Sequence, residues 1–238
     1  MASDLVFDGL ILDCDGVIFD SNKLKSSAFR AVISPWGRGV AETFVSYHET
    51  RNGISRELKL RQFNLEVNEG AWSERDIEEI LDRYGTMCLS LYRECAFCPG
   101  ALDVLQRFGR AGCLYIASGS DQTELREVMK FRGLGDLFSG IYGGPVPKAR
   151  HLQNLQTKCP NKRWLFVGDS KADFDSAKSA GMPFIFVNSF SQDKQGITEI
   201  ALTHNIPTFR DLKHLNYFIE HSEINNAYFL SVSRELTL

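Results

Sequence analysis

The chain has no long apolar run. No hydrophobic stretch approaches the roughly 18 residues that cross a bilayer, so a membrane is not expected as a partner. It has no block of five like charges, and 30 acidic against 27 basic side chains leave a net charge of −3. The basic excess that would favour nucleic acid or an anionic surface is missing. Internal repeats and low-complexity tracts are also absent. The N-terminus carries Asp4 and Asp8 with no basic segment, so it does not read as a secretory leader, and a cytoplasmic location is expected. Cysteines are few, and only Cys95 and Cys98 are spaced as a CxxC. With no second ligand pair at zinc spacing, they read as buried, reduced thiols at a junction between two parts of the chain.

What is present is ordinary globular material. The chain has 238 residues, 43% hydrophobic and 24% charged, enough for one large domain or a core with a smaller partner. Short apolar runs read as buried strands: Leu10–Leu12, Cys113–Ala117, Trp164–Val167 and Phe184–Val187, with a shorter one at Ile141–Tyr142. Helical patterns alternate with them. One opens after Pro99-Gly100. Another follows Asp121-x-x-Glu124, which has the spacing of a capping box, and a third runs from Asp173 to Ala180 before Gly181. The alternation predicts an α/β fold with a doubly wound parallel sheet. Residues 21–96 differ: no strand is visible, and Ile77, Ile80, Leu81, Tyr84 and Leu91 fit one face of a helix starting near Ser73. A discontinuous core of residues 1–20 and 97–238 is therefore expected, with a helical domain at 21–96 inserted after the first strand and roofing the strand ends.

Polar residues follow the apolar runs. Asp13 and Asp15 follow the first strand, Ser118, Gly119 and Ser120 the second, and Gly168, Asp169 and Ser170 the Trp164–Val167 run, with Asp173 one turn later. Lys148 ends the loop Gly143-Gly144-Pro145-Val146-Pro147. Open parallel sheets bind ligands at this edge. Clustered carboxylates repel each other at low dielectric and call for a cation, and hard oxygen donors favour magnesium over zinc. Backbone N–H groups of Gly119 and Ser120 and the Ser118 hydroxyl can then hold an anion, with Lys148 offsetting charge. Cys14 lies between the two aspartates and should point the other way.

These segments resemble the haloacid dehalogenase-like hydrolase superfamily. Asp13-Cys14-Asp15-Gly16-Val17 is similar to its first motif and Tyr115–Ser120 to its second, a hydrophobic strand ending in a hydroxyl residue. Lys148 matches the third, and Gly168-Asp169-Ser170-Lys171-Ala172-Asp173 the fourth, in order over roughly residues 7–190. The insert matches the position of the helical C1 cap of the phosphatase and β-phosphoglucomutase-like subfamily. The resemblance implies a magnesium-dependent phosphatase. Asp13 would be the nucleophile forming an aspartyl-phosphate, and Asp15 the acid and base. Ser118, Gly119 and Lys148 would hold the phosphoryl group. Asp13, the Asp15 carbonyl and Asp169 would hold Mg2+, with Asp173 as ligand or neighbour. An aspartate at position 15 separates the chain from the dehalogenase and phosphonatase branches. Lys148 precedes Ala149 where the family often has proline, which leaves Lys162 and Lys171 as rival lysines.

Thr50–Arg56 resembles the substrate-facing turn of such caps, where Arg56 and Asn52, with Arg51 or His48, would read a second anionic group. The alternatives are a solvated helix face for Arg56 and a structural role for His48. The expected substrate is a small phosphorylated metabolite, a sugar or polyol phosphate. A phosphomutase is the runner-up, and a phospho-accepting receiver or binding module without turnover stands behind it. Tyr217, Phe218, Tyr228 and Phe229 are expected to pack, and the chain after Ser222 to be poorly ordered.

Overall fold

The computed structural model describes residues 7–51 and 53–221. Tyr228, Phe229 and the segment after Ser222 lie outside the described residues, as does Asn52.

A six-stranded, all-parallel sheet forms the centre: β1 Gly9–Leu12, β2 Leu114–Asp121, β3 Gly140–Gly144, β4 Trp164–Gly168, β5 Phe184–Val187 and β6 Thr208–Phe209, in the order β3-β2-β1-β4-β5-β6. The inner strands β1, β4 and β5 are buried at every position. This is why their sequences are unbroken apolar runs rather than alternating ones. β1 lies between β2 and β4, with Leu12 opposite both Ile116 and Val167. The chain leaves β1 in one direction to β2 and later returns on its other side to β4. That reversal opens a crevice beyond the carboxyl ends.

Four α-helices fill the insert that follows β1: α1 Asn22–Ile33, α2 Arg38–Glu49, α3 Arg56–Glu66 and α4 Glu74–Glu94. α4 starts at the expected place, where Ser73 and Asp76 form a reciprocal capping box, and it buries Ile77, Ile80, Tyr84, Cys88 and Tyr92. The insert has an aromatic core in which Phe29 stacks on Tyr84 at 3.6 Å and Phe44 meets Phe63 edge-on at 5.0 Å. Its two connections to the sheet run side by side, with Asp20 N–H donating to Ala96 O and Cys98 N–H to Ile18 O, both at 2.9 Å. Arg132 donates to the carbonyls of Tyr92, Arg93 and Cys95 and lies 4.3 Å from the Phe97 ring centre. Cys95 and Cys98 are free and buried at this junction, and burial pushes the Cys95 thiol up to about 11.

Helices α5 Ala101–Arg110, α6 Gln122–Phe131, α7 Lys148–Lys158, α8 Lys171–Ala180, α9 Lys194–His204 and α10 Leu212–His221 complete the fold. Three sequence expectations are corrected. Strand β2 runs on to Asp121 through a register shift after Ala117. Asp121 caps α6 by accepting from the N–H groups of Thr123 and Glu124, but Glu124 does not reciprocate, because its carboxylate is taken by Arg56. Tyr217 is mostly exposed and Phe218 is 41% exposed, each touching one ring, His221 and Phe209 respectively, rather than packing in the core.

Candidate active site

The strand ends bring the predicted polar residues together. Asp13 follows β1 directly, and its Oδ1 accepts the Cys14 N–H at 2.8 Å. Asp169 follows β4 and accepts from Asn22 Nδ2 at 2.8 Å. Asp173 sits at the third position of α8 and completes a reciprocal capping box with Ser170. It is fully buried, so the cap and the site use the same carboxylate. Asp13, Asp169 and Asp173 each offer an oxygen within 4.8 Å of the others.

Gly16 makes this proximity feasible. It has φ +74°, and a Cβ there would lie 2.0 Å from Asp169 Oδ2, so any other residue would be strained and would displace that carboxylate. Lys148 is the first residue of α7 rather than part of the preceding loop. Its ammonium lies 3.2 Å from Asp13 Oδ1 and pairs directly with Asp173. Burial, with repulsion from Asp173, pushes the Asp13 carboxyl up to about 7. Burial and both neighbouring carboxylates likewise raise Asp169. Burial favours the neutral form of Lys148, but Asp13 and Asp173 outweigh it and hold the ammonium charged. Lys162 and Lys171 do not enter this cluster. Lys162 lies over the Trp164 ring, and Lys171 pairs with Asp175 on the outer face of α8.

Asp15 is restrained on every side. Ser21 Oγ and Tyr92 OH donate to Oδ1, each at 2.6 Å, while Lys25 Nζ at 2.7 Å and Ser120 Oγ at 2.8 Å donate to Oδ2. Burial raises its pKa, but the charge and hydrogen bond of Lys25, with Ser21 and Tyr92, outweigh that and hold the carboxyl below its usual range. Cys14 points away into the core, as expected, and burial raises its thiol well above the ordinary value.

Ser118–Ser120 lie in the irregular part of β2, where pairing with β3 breaks between Ala117 and Asp121. Such a break takes backbone groups out of the ladder. One of them, the Ser120 N–H, turns back to Ser118 Oγ at 3.2 Å. Gly119 meets the insert, since a Cβ there would be 2.6 Å from Gly53 O. The insert therefore sits directly on the strand ends. Beneath it, Asp13, Asp15, Asn22, Lys25, Ser118, Gly119, Ser120 and Asp169 line a cavity of about 30 Å³, roofed by His48, Gly53, Ile54 and Lys59.

Arg56 does not line that cavity. Its guanidinium pairs bidentately with Glu124 of α6, and it borders a neighbouring cavity of about 390 Å³ with Ser55, Leu81 and Asp82. Gly85, in the middle of α4, leaves room for this pair, because a Cβ there would lie 2.7 Å from Glu124 Oε1. Arg51 stacks on Tyr47 at 3.7 Å. Sequence reading missed Lys25, Tyr92 and Lys59. Lys25 and Lys59 stand among charged neighbours on helices, where a lysine reads as solvated, and Tyr92 looks like one more apolar position of α4.

Comparison with known proteins identifies the family and the fold. The sequence model of the haloacid dehalogenase-like hydrolases matches residues 7–181. A phosphoglycolate phosphatase of Mesorhizobium japonicum is 27% identical over 192 residues, covering 75% of this chain and 82% of that protein. One from Synechococcus elongatus is 24% identical, covering 85% and 94%. Among solved structures, a hydrolase from Pseudomonas syringae superposes with a TM-score of 0.69 at 18% identity, covering 90% of this chain and 99% of that one. CbbY from Rhodobacter sphaeroides, in complex with phosphate, gives 0.60 at 19% identity over 76% and 86%. No helix among the described residues is long and apolar enough to cross a membrane. The chain belongs to the haloacid dehalogenase-like hydrolase family and is an enzyme of its phosphatase type.

Proposed function

We propose that the chain is a magnesium-dependent phosphatase that hydrolyses a small phosphorylated metabolite through an aspartyl-phosphate on Asp13, with the helical insert acting as a cap. The observation that carries this reading is the buried cluster of Asp13, Asp169 and Asp173 around Lys148 at the end of β1. Three oxygen donors this close, with no sulfur or imidazole among them, suit a hard divalent ion. Bound by Asp13, Asp169 and the Asp15 carbonyl, magnesium would neutralise the carboxylates and the phosphoryl oxygens.

The chain's own residues then have definite tasks. Asp13 attacks phosphorus in line as the ester oxygen departs, and water later cleaves the acyl-phosphate. Lys148, Ser118 and the Gly119 N–H hold the phosphoryl oxygens. Asp15 gives its proton to the leaving oxygen and afterwards takes one from water. Lys25 favours ionised Asp15, the form that accepts from water, so donation to the leaving oxygen requires the Lys25 contact to loosen. Ser21, Tyr92 and Ser120 fix the direction of that carboxylate.

The relatives named phosphoglycolate phosphatase support a small phosphorylated substrate; sugar and polyol phosphates belong in the same screen. The test is phosphate release from sugar, polyol, nucleotide and carboxylic-acid phosphates, with magnesium or with chelator, for wild type beside Asp13→Asn. Steady, magnesium-dependent release by wild type alone is expected. Conversion between phosphate isomers that needs a bisphosphate activator, with little release, would instead identify a phosphomutase.

A further inference from the structure

The roof of the small cavity holds a charge for which the chemistry above has no use. Lys59, in the first turn of α3, is 3% exposed and lines the same cavity as Asp13 and Asp15. Its ammonium meets His48 Nδ1 at 2.7 Å. Among the described residues, no carboxylate comes within ion-pair distance of it. The other two ammonium groups lining the strand ends are matched, Lys148 by Asp13 and Asp173, and Lys25 by Asp15.

A buried ammonium without a counter-charge is unfavourable, and a methionine would fill similar space without that penalty. Burial and the nearby Lys25 accordingly pull Lys59 well below the ordinary lysine range. The surroundings suit an anion. Gly53 and Ile54 line the cavity just before the N-terminus of α3, the positive end of that helix. The turn is pressed onto the core: Gly53 has φ +83°, and a Cβ there would lie 2.7 Å from Ser170 Oγ. Lys59 thus faces the same enclosed space as Asp13.

Resting on the phosphatase reading above, we propose that Lys59, with His48 beside it, binds an anionic group on the alcohol half of the substrate. The preferred substrates are then compact phosphate monoesters bearing a carboxylate. A carboxylate, the smaller anion, suits this confined roof better than a second phosphate. Lys59 is a binding and specificity residue; it does not touch the reacting atoms.

The test compares kcat/KM for 2-phosphoglycolate with that for ethyl phosphate, its near-isostere without the second charge, in saturating magnesium. Wild type should prefer the carboxylate by about 100-fold or more, as sites built around a buried polar contact do. Lys59→Met should reduce the preference to within about fivefold, and Lys59→Gln, which keeps a donor without the charge, should fall between. Equal use of both esters by wild type, or a preference that survives Lys59→Met, overturns the proposal. A larger preference for a sugar bisphosphate overturns the choice of carboxylate. Should Lys59→Met fail to fold, the wild-type ratio and Lys59→Gln decide. Hydrolysis of p-nitrophenyl phosphate that is lost in Asp13→Asn checks the phosphatase reading separately. If that activity is present without a carboxylate preference, only the Lys59 assignment fails; if wild type releases no phosphate from any ester, both fail.

Discussion

The two halves of the site differ in one buried charge, Lys59 on the insert, which has no carboxylate partner among the described residues. At the strand ends the buried charges have partners: Lys148 lies between Asp13 and Asp173, Asn22 of the insert holds Asp169, and four donors, three of them from the insert, hold Asp15. On the insert, Lys25 and Arg56 are satisfied by Asp15 and Glu124 across the seam, while Lys59 has only a histidine nitrogen. Paired charges rigidify and can be pre-organised for one reaction. An unpaired buried charge is tolerated where something outside the chain completes it. On the reading proposed above, the sheet half would carry the phosphoryl chemistry and the insert half the choice of substrate.

The comparison can be broken most severely at Asp13. Asp13→Asn removes the nucleophile and should lower phosphate release by more than about a thousandfold; near-normal release would reassign the chemistry. Asp15→Asn should lower turnover by about 10²–10⁴-fold, because water loses its base, while formation of the acyl-phosphate from activated aryl phosphates is affected far less, since their leaving oxygen needs no proton.

Stability sharpens the contrast, because the same substitution should act in opposite directions in the two halves. Lys148→Met leaves Asp13 and Asp173 buried without their cation and should destabilise the protein by about 3–5 kcal/mol in chelator, with added magnesium restoring part of it. Lys59→Met removes an unmatched charge and should stabilise it by about 1 kcal/mol, or roughly 2–4 °C in melting temperature. Calorimetric melts of both variants beside wild type read these shifts, and changes of the same sign would remove the distinction between the halves. Between these two lies the effect of magnesium on wild type, about 2.7 kcal/mol at a hundred times its dissociation constant, which should disappear in Asp169→Asn.

The sheet half was legible in the sequence because its elements signal themselves. Fully buried parallel strands such as Leu10–Leu12 and Trp164–Val167 are unbroken apolar runs, and the residues just beyond them must occupy the crevice. The resemblance to the haloacid dehalogenase-like family rested on these same positions. β6 escaped notice because Thr208–Phe209 is two residues long and half exposed. The insert half was legible only as helices. Which lysine points inward depends on how α1 and α3 pack, and Lys25 and Lys59 carry no local mark of it. Arg56 is marked by its turn, yet its partner Glu124 is 68 residues away and stands at capping-box spacing from Asp121. Long-range pairings of this kind leave no periodic trace in the chain.

The central claim, that phosphoryl transfer passes through Asp13, is tested most directly by mass spectrometry of acid-quenched Asp15→Asn protein after mixing with magnesium and an activated aryl phosphate. A phosphoryl adduct on the peptide containing Asp13, absent when Asp13 is also replaced by Asn, is the predicted result. Turnover of the ester with no adduct at any quench time, or an adduct on another residue, would contradict it.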